Sequence, residues 1–197
     1  MSELSLIKIK DSSVLNVDNN EVKRYLKIHK FDTQNDLLIE ECKSEVYKIA
    51  RPSCVYSREC ICVEEGKVDF CFDIVESRNL SKNLCQCEEA YVLCATLGIE
   101  VDRLIQKYAK IEPSKSVVID SVATALIEEF CDYVNDILGE KDDLCQRFSA
   151  GYGDYSIKHQ KMILERLDAS KKIGVTLLES YMMSPAKTVS AIIGIKK

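Results

Sequence analysis

Apolar residues recur three and four apart in two long stretches of the chain and two apart in several short ones, so helices and strands are predicted in alternation. The strongest helical pattern runs from Ser114 to about Leu138, where Ile119, Val122, Leu126, Phe130, Val134 and Ile137 hold the spacing and Gly139 stands ready to end it. A second helix is predicted from Thr33, a good cap, through Leu37, Leu38, Cys42, Val46 and Ile49, with Pro52 closing it. Shorter helices are read after a cap at Asn19-Asn20 (Val22, Tyr25, Leu26), over Val101–Ala109 before Pro113, and from about Ser156 to Leu167. Ser13 to Val17 fits a short strand. Cys54–Val63 and Val68–Val75 read as a hairpin around Glu64-Glu65-Gly66-Lys67, and Ser77–Leu84 as a short helix or loop. Ala90–Leu97 is uniformly apolar, as a central strand would be, and stops at Gly98. Val189, Ala191, Ile193 and Ile195 alternate in a C-terminal strand.

That irregular order favours an α+β fold, an antiparallel-rich mixed sheet with a long central helix, over a regular parallel winding. The 197 residues contain no internal repeat and no Gly/Pro/Ser-rich linker, only three prolines, and 46% hydrophobic residues, which suits a single domain over 1–197. No run of about eighteen apolar residues occurs, and Met1-Ser2-Glu3-Leu4 does not open a signal segment, so a cytoplasmic protein is expected, with no membrane partner. The net charge of −5 comes from acids and bases dispersed along the chain, which argues against nucleic acid. Ten cysteines are many for this length. Cys60-Ile61-Cys62 and Cys85-Gln86-Cys87 lack both the C-x-x-C knuckle and a following histidine, so packing thiols are expected and no metal site.

Two features carry candidate chemistry. On the long helix, Ser121, Thr124, Ala125, Glu128 and Asp132 share a face opposite the apolar stripe, either a plain solvated face or one that offers two carboxylates to a cationic group. The run Arg147-Phe148-Ser149-Ala150-Gly151-Tyr152-Gly153-Asp154 sets a planar, permanently charged fork four residues ahead of a Gly-Tyr-Gly turn whose backbone can approach a ligand closely. Those properties suit a small zwitterion bearing a carboxylate. Arg147 pairing with a surface acid, and a purely structural turn in which Asp154 or Ser156 caps the next helix, also fit. Tyr152 is either a core plug or an exposed flat ring. Neither His29 nor His159 sits in a recognisable catalytic constellation, so no catalytic residue is expected.

These residues resemble a known family, the C-terminal activation domain of cobalamin-dependent methionine synthase and its free-standing relatives. Arg147, Gly151 and Tyr152 match its Arg-x-x-x-Gly-Tyr signature, Ile127-Glu128-Glu129-Phe130 matches its glutamate-bearing helix, and Ser184-Pro185 through Ile195 matches its Ser-Pro segment and strand. The likeness is dense from Val118 onward and looser upstream, at Glu21 to Leu26 and Ala95-Thr96-Leu97-Gly98. It departs at Lys141, where the longer domain has a binding glutamate, and at Lys197, ahead of a tyrosine-containing segment that the longer domain adds.

The resemblance implies an S-adenosylmethionine-binding module. Arg147 would grip the carboxylate, Glu128 a polar or cationic group, and the backbone of Ser149 and Gly151 the ligand, while Tyr152 would face a corrin ring. It further implies cobalamin supplied by a corrinoid-binding methionine synthase lacking its own activation domain, whose inactive cobalt(II) is reduced and methylated with a reductant such as flavodoxin. The chain would then be an accessory of a methyltransferase system. Service to another corrinoid methyltransferase, a stand-alone S-adenosylmethionine-dependent methyltransferase, or a cysteine-based metal or binding module are the alternatives.

Overall fold

The structure, a computed structural model, describes residues 3–27 and 33–197, without the side chains of 33–35. His29 and the Thr33 side chain, the expected helix cap, lie outside the described residues. In chain order the strands are β1 (Ser5–Lys8), β2 (Ser53–Cys60), β3 (Cys62–Glu64), β4 (Lys67–Asp69), β5 (Ile74–Glu76), β6 (Cys87–Thr96), β7 (Thr176–Leu177), β8 (Met183–Ser184) and β9 (Thr188–Lys196). The α-helices are α1 (Asn19–Leu26), α2 (Thr33–Ile49), α3 (Arg78–Asn83), α4 (Ile99–Ile111), α5 (Pro113–Gly139), α6 (Gln160–Arg166) and α7 (Ala169–Ile173).

The main sheet has the order β1-β2-β6-β9, with each pair antiparallel. Side-chain alternation sends Cys54, Tyr91, Leu93, Ala95, Ala191 and Ile193 to one face, where they pack on residues of α1, α2, α4 and α5. Val55, Ala90, Val92, Cys94 and Ile192 point to the other face, against α3, α6, α7 and the small sheet β3-β4-β5. Because both faces are covered, the central strand β6 is buried almost throughout, and that explains its unbroken apolar run. The expected α+β architecture with antiparallel pairing and a long helix is therefore present.

Several local expectations need correction. Ser13 to Val17 is no strand: Ser12–Val14 forms a 3-10 turn whose cap, Asp11, accepts from the Ser13 amide, while the paired edge strand is β1. The cap of α1 is Asp18, one residue earlier than expected. The span Cys54–Val63 breaks at Ile61, whose amide turns to the Glu88 carbonyl, and Cys62 onward joins the small sheet. Val68–Val75 also breaks, since Cys71 has φ 65° and its amide is taken by the Asp69 carboxylate. Gly139 ends α5 without a left-handed turn, because Glu140 continues in right-handed geometry. Ser156 caps only a 3-10 turn, Ile157–His159, ahead of α6.

What positions the site is the edge of β9. Residues 143–148 run beside it as an irregular fifth line of backbone: Lys196 N–H donates to the Asp143 carbonyl, Cys145 N–H to Gly194, and Phe148 and Ile192 exchange bonds of 2.9 and 2.8 Å. The pairing satisfies an edge otherwise open and fixes Arg147 in the third dimension. It also depends on Gly194, because a Cβ there would lie 2.6 Å from Cys87 Sγ and 2.7 Å from Leu84 Cδ2. Gly194→Ala is expected to cost about 1 to 3 kcal/mol through overpacking, read as a lower urea midpoint at unchanged slope.

Candidate functional site

The fork of Arg147 reaches across from the β9 edge to α5. Its Nη2 donates to Glu128 Oε2 at 2.9 Å and its Nη1 to Asp132 Oδ1 at 3.2 Å. Glu128, Asp132 and Asn135 fall at i, i+4 and i+7 and make one stripe along the helix, whose opposite side places Phe130 and Val134 in the core. The expectation that Arg147 meets an acid thus holds together with the expectation that it stands beside Glu128. The Arg147 side chain is 18% exposed, so its stem is packed and its direction fixed.

Between this ion cluster and the turn lies a groove of about 640 Å³, bordered by Glu128, Asp132, Asn135, Arg147, Ser149 and Tyr152, with Thr188, Val189 and Ser190 of β9, Gln160 of α6 and Met183 of β8 also lining it. Tyr152 is no core plug. It is 67% exposed at the rim, its ring centroid 6.4 Å from that of Phe148. Gly151 is not among the residues that line the groove: with φ +97° its Cβ position lies 3.0 Å from Ile157 Cδ1, and its amide is committed to the Tyr155 carbonyl at 2.7 Å. Its carbonyl is therefore the backbone group through which it could meet a ligand.

Local electrostatics follow from the acid-rich half of α5. Burial, with the Asp132 and Asp136 carboxylates close by, raises the Glu129 pKa. Burial also pushes the Cys131 thiol up to about 12, with the Arg147 guanidinium pulling the other way. The remaining residues of the expected helical face do not join the groove: the Ser121 hydroxyl donates to the Val117 carbonyl, and Thr124 donates to Asp120 and accepts from Lys187. Lys141 is exposed beyond α5 and does not line it either.

Sequence reasoning missed Asn135, Gln160, Thr188 and Ser190. Asn135 was legible as the next step of the Glu128–Asp132 stripe, and Ser190 as a polar residue inside an apolar strand. Gln160 gives no signal in the sequence. Three of these residues carry buried polar atoms with no hydrogen-bond partner among the described residues: Asn135 Oδ1, Gln160 Oε1 and Ser190 Oγ.

The turn is clasped to the rest of the protein by Asp154. Its carboxylate accepts from the Ser77 hydroxyl and from the amides of Arg78, at 2.8 Å, and Asn79, at 3.2 Å, so it supplements the Ser77 cap of α3 and does not take the expected role of capping the helix that follows it. Behind the turn, buried Tyr155 stacks on Phe148, and His159 Nδ1 lies 2.7 Å from Asp73 Oδ2. Cys42, Cys54, Cys87, Cys94 and Cys131 are buried packing thiols, whereas Cys60, Cys62, Cys71 and Cys85 are exposed. Among the described residues no group of three or more His, Cys, Asp or Glu is arranged to hold a metal ion, and no helix is long and apolar enough to cross a membrane.

No protein-family model matches the sequence, and no curated protein does. The structure, in contrast, superposes on a crystal structure of the MetH reactivation domain bound to AdoHcy with a TM-score of 0.78 and 14% identity, covering 99% of this chain and 79% of that one. The fold is that of the MetH reactivation domain. At this identity the likeness is one of architecture, and it accords with the resemblance read from the Arg147 turn and the Glu128 helix.

The clasp makes a prediction about acid. The Ser77 hydroxyl first, then the Arg78 and Asn79 amides, hold the Asp154 carboxyl below its ordinary 3.8. A pKa lowered by folding means a contribution fully present above the ordinary value and lost as pH falls through the folded one. Asp154→Asn is thus expected to melt lower at neutral pH and to show a flatter melting temperature between about pH 5 and pH 2 than the parent chain.

Proposed function

We propose that this chain binds S-adenosylmethionine and serves in trans as the reactivation module of a corrinoid-dependent methionine synthase. The observation that carries the reading is the convergence of Arg147, Glu128 and Asp132 on one groove, within a fold whose compared member was crystallised with AdoHcy.

The donor set fits a zwitterionic amino acid. Asp132 is the more exposed of the two acids and holds Arg147 at the longer distance, so it is the partner that an incoming carboxylate displaces. The fork then keeps a charge-assisted bond throughout, and the freed acid, with Glu128, faces the ligand's positive groups. Two carboxylates against one guanidinium leave the cluster net negative, which favours a ligand carrying a sulfonium and an ammonium. Ser149 and the Gly151 carbonyl supply backbone contacts, and the exposed ring of Tyr152 faces the corrin.

The partner's cobalamin, once reduced with help from a donor such as flavodoxin, supplies the metal that accepts the methyl group. The chain's own share is placement: it orients the sulfonium and presents it at an open rim. Residues 1–197 act here as a single cytoplasmic domain.

Calorimetry with S-adenosylmethionine tests the ligand, and absence of heat at millimolar concentration would sink the reading. Arg147→Ala is expected to weaken binding by about 1.5 to 3 kcal/mol, the range for hydrogen bonds to charged groups. Mixing the chain with a corrinoid methionine synthase, a reductant and S-adenosylmethionine is expected to bleach the cobalt(II) absorption band. A band that decays no faster than without the chain would remove the partner from the proposal.

A further inference from the structure

Besides its charged residues the groove has uncharged polar ones. After the Phe148–Ile192 pair the flanking segment leaves β9, and Thr188, Val189 and Ser190 border the groove. Ile192 and Gly194 turn their backbone groups to this edge. Strand periodicity turns those of Ser190 the same way. The Ser190 side chain alternates to the sheet face packed by α6, the helix that begins with Gln160. Gln160 is 6% exposed and Ser190 1%, and neither Gln160 Oε1 nor Ser190 Oγ has a hydrogen-bond partner among the described residues.

Buried polar atoms are nearly always paired, because an unmade bond forfeits the water they gave up. Here two acceptors from different elements meet the same groove, and each is uncharged. The Gln160 carbonyl offers a carboxylate nothing, and the Ser190 hydroxyl, which can donate or accept, serves an uncharged partner equally well. They suit N–H and O–H donors on a neutral body, which in S-adenosylmethionine are the sugar hydroxyls and the base amine.

We infer that Gln160 and Ser190 form a neutral recognition pole that selects the nucleoside part of the ligand while Arg147 and Glu128 hold the amino-acid part, an assignment that rests on the function proposed above. Specificity then comes from two unlike ends. A ligand with only the amino acid leaves both acceptors unmatched, and a ligand whose sugar lacks its hydroxyls does the same in part.

The test combines affinity with ligand-free stability, because the two should move in opposite senses. Gln160→Leu is expected to bind S-adenosylhomocysteine about tenfold more weakly by calorimetry, since a hydrogen bond to a buried acceptor is lost. Without ligand the same variant should melt at or above the parent temperature, because an unpaired buried carbonyl has been replaced by an apolar group. Ser190→Ala, which removes one atom, should weaken binding with the same unchanged or raised melting. Affinity within twofold of the parent in both variants overturns the assignment, as does a lowered ligand-free melting temperature in both, which would mark Gln160 and Ser190 as structural. Failure of the parent chain itself to bind S-adenosylhomocysteine or S-adenosylmethionine would instead overturn the function on which the assignment rests.

Discussion

Backbone pairing along one sheet edge governs the rest of this molecule. The bonds from residues 143–148 to Ile192, Gly194 and Lys196 hold the stretch that crosses from α5 to the Gly-Tyr-Gly turn, and they do so with main-chain atoms, so the side chains in that stretch are free for other work. Leu144 joins one core, Cys145 and Phe148 the other, and Arg147 is left to reach over the edge. The guanidinium is placed by the same bonds that complete the sheet, which makes its position as rigid as β9 itself.

The long helix α5 solves the complementary problem. One side of it contributes Ile119, Val122, Leu126, Phe130 and Val134 to the core, and this burial fixes the rotation of the helix about its axis. Once that rotation is set, Glu128, Asp132 and Asn135 have no choice of direction. Ion cluster and hydrophobic core are in this sense one design: packing orients the carboxylates, and the carboxylates meet an arginine anchored by an independent strand.

Much of this was legible in the sequence because it rests on periodicity. The apolar stripe of α5 announces both the helix and, by subtraction, the face that carries Glu128, and the continuous apolar run of β6 announces a strand covered on two sides. The Arg-x-x-x-Gly-Tyr spacing points to the turn. What escaped depends on contacts distant along the chain. Nothing near Ile61 foretells that its amide will turn to Glu88, so the strand break there is invisible locally. Nor does anything near Gln160 say that its amide will line a groove shared with β9. Asp154 reads as a cap for the helix that follows it, whereas the amides it accepts from lie some 75 residues earlier in the chain.

That long-distance cap reaches into the protein's descent. Because one carboxylate closes the Gly-Tyr-Gly turn and holds the first amides of α3, the number of residues between Arg147 and Asp154 is held from both sides. Insertions or deletions within this turn would detach a helix from a different part of the chain. Drift in this region is therefore confined to exchanges of side chain at constant length.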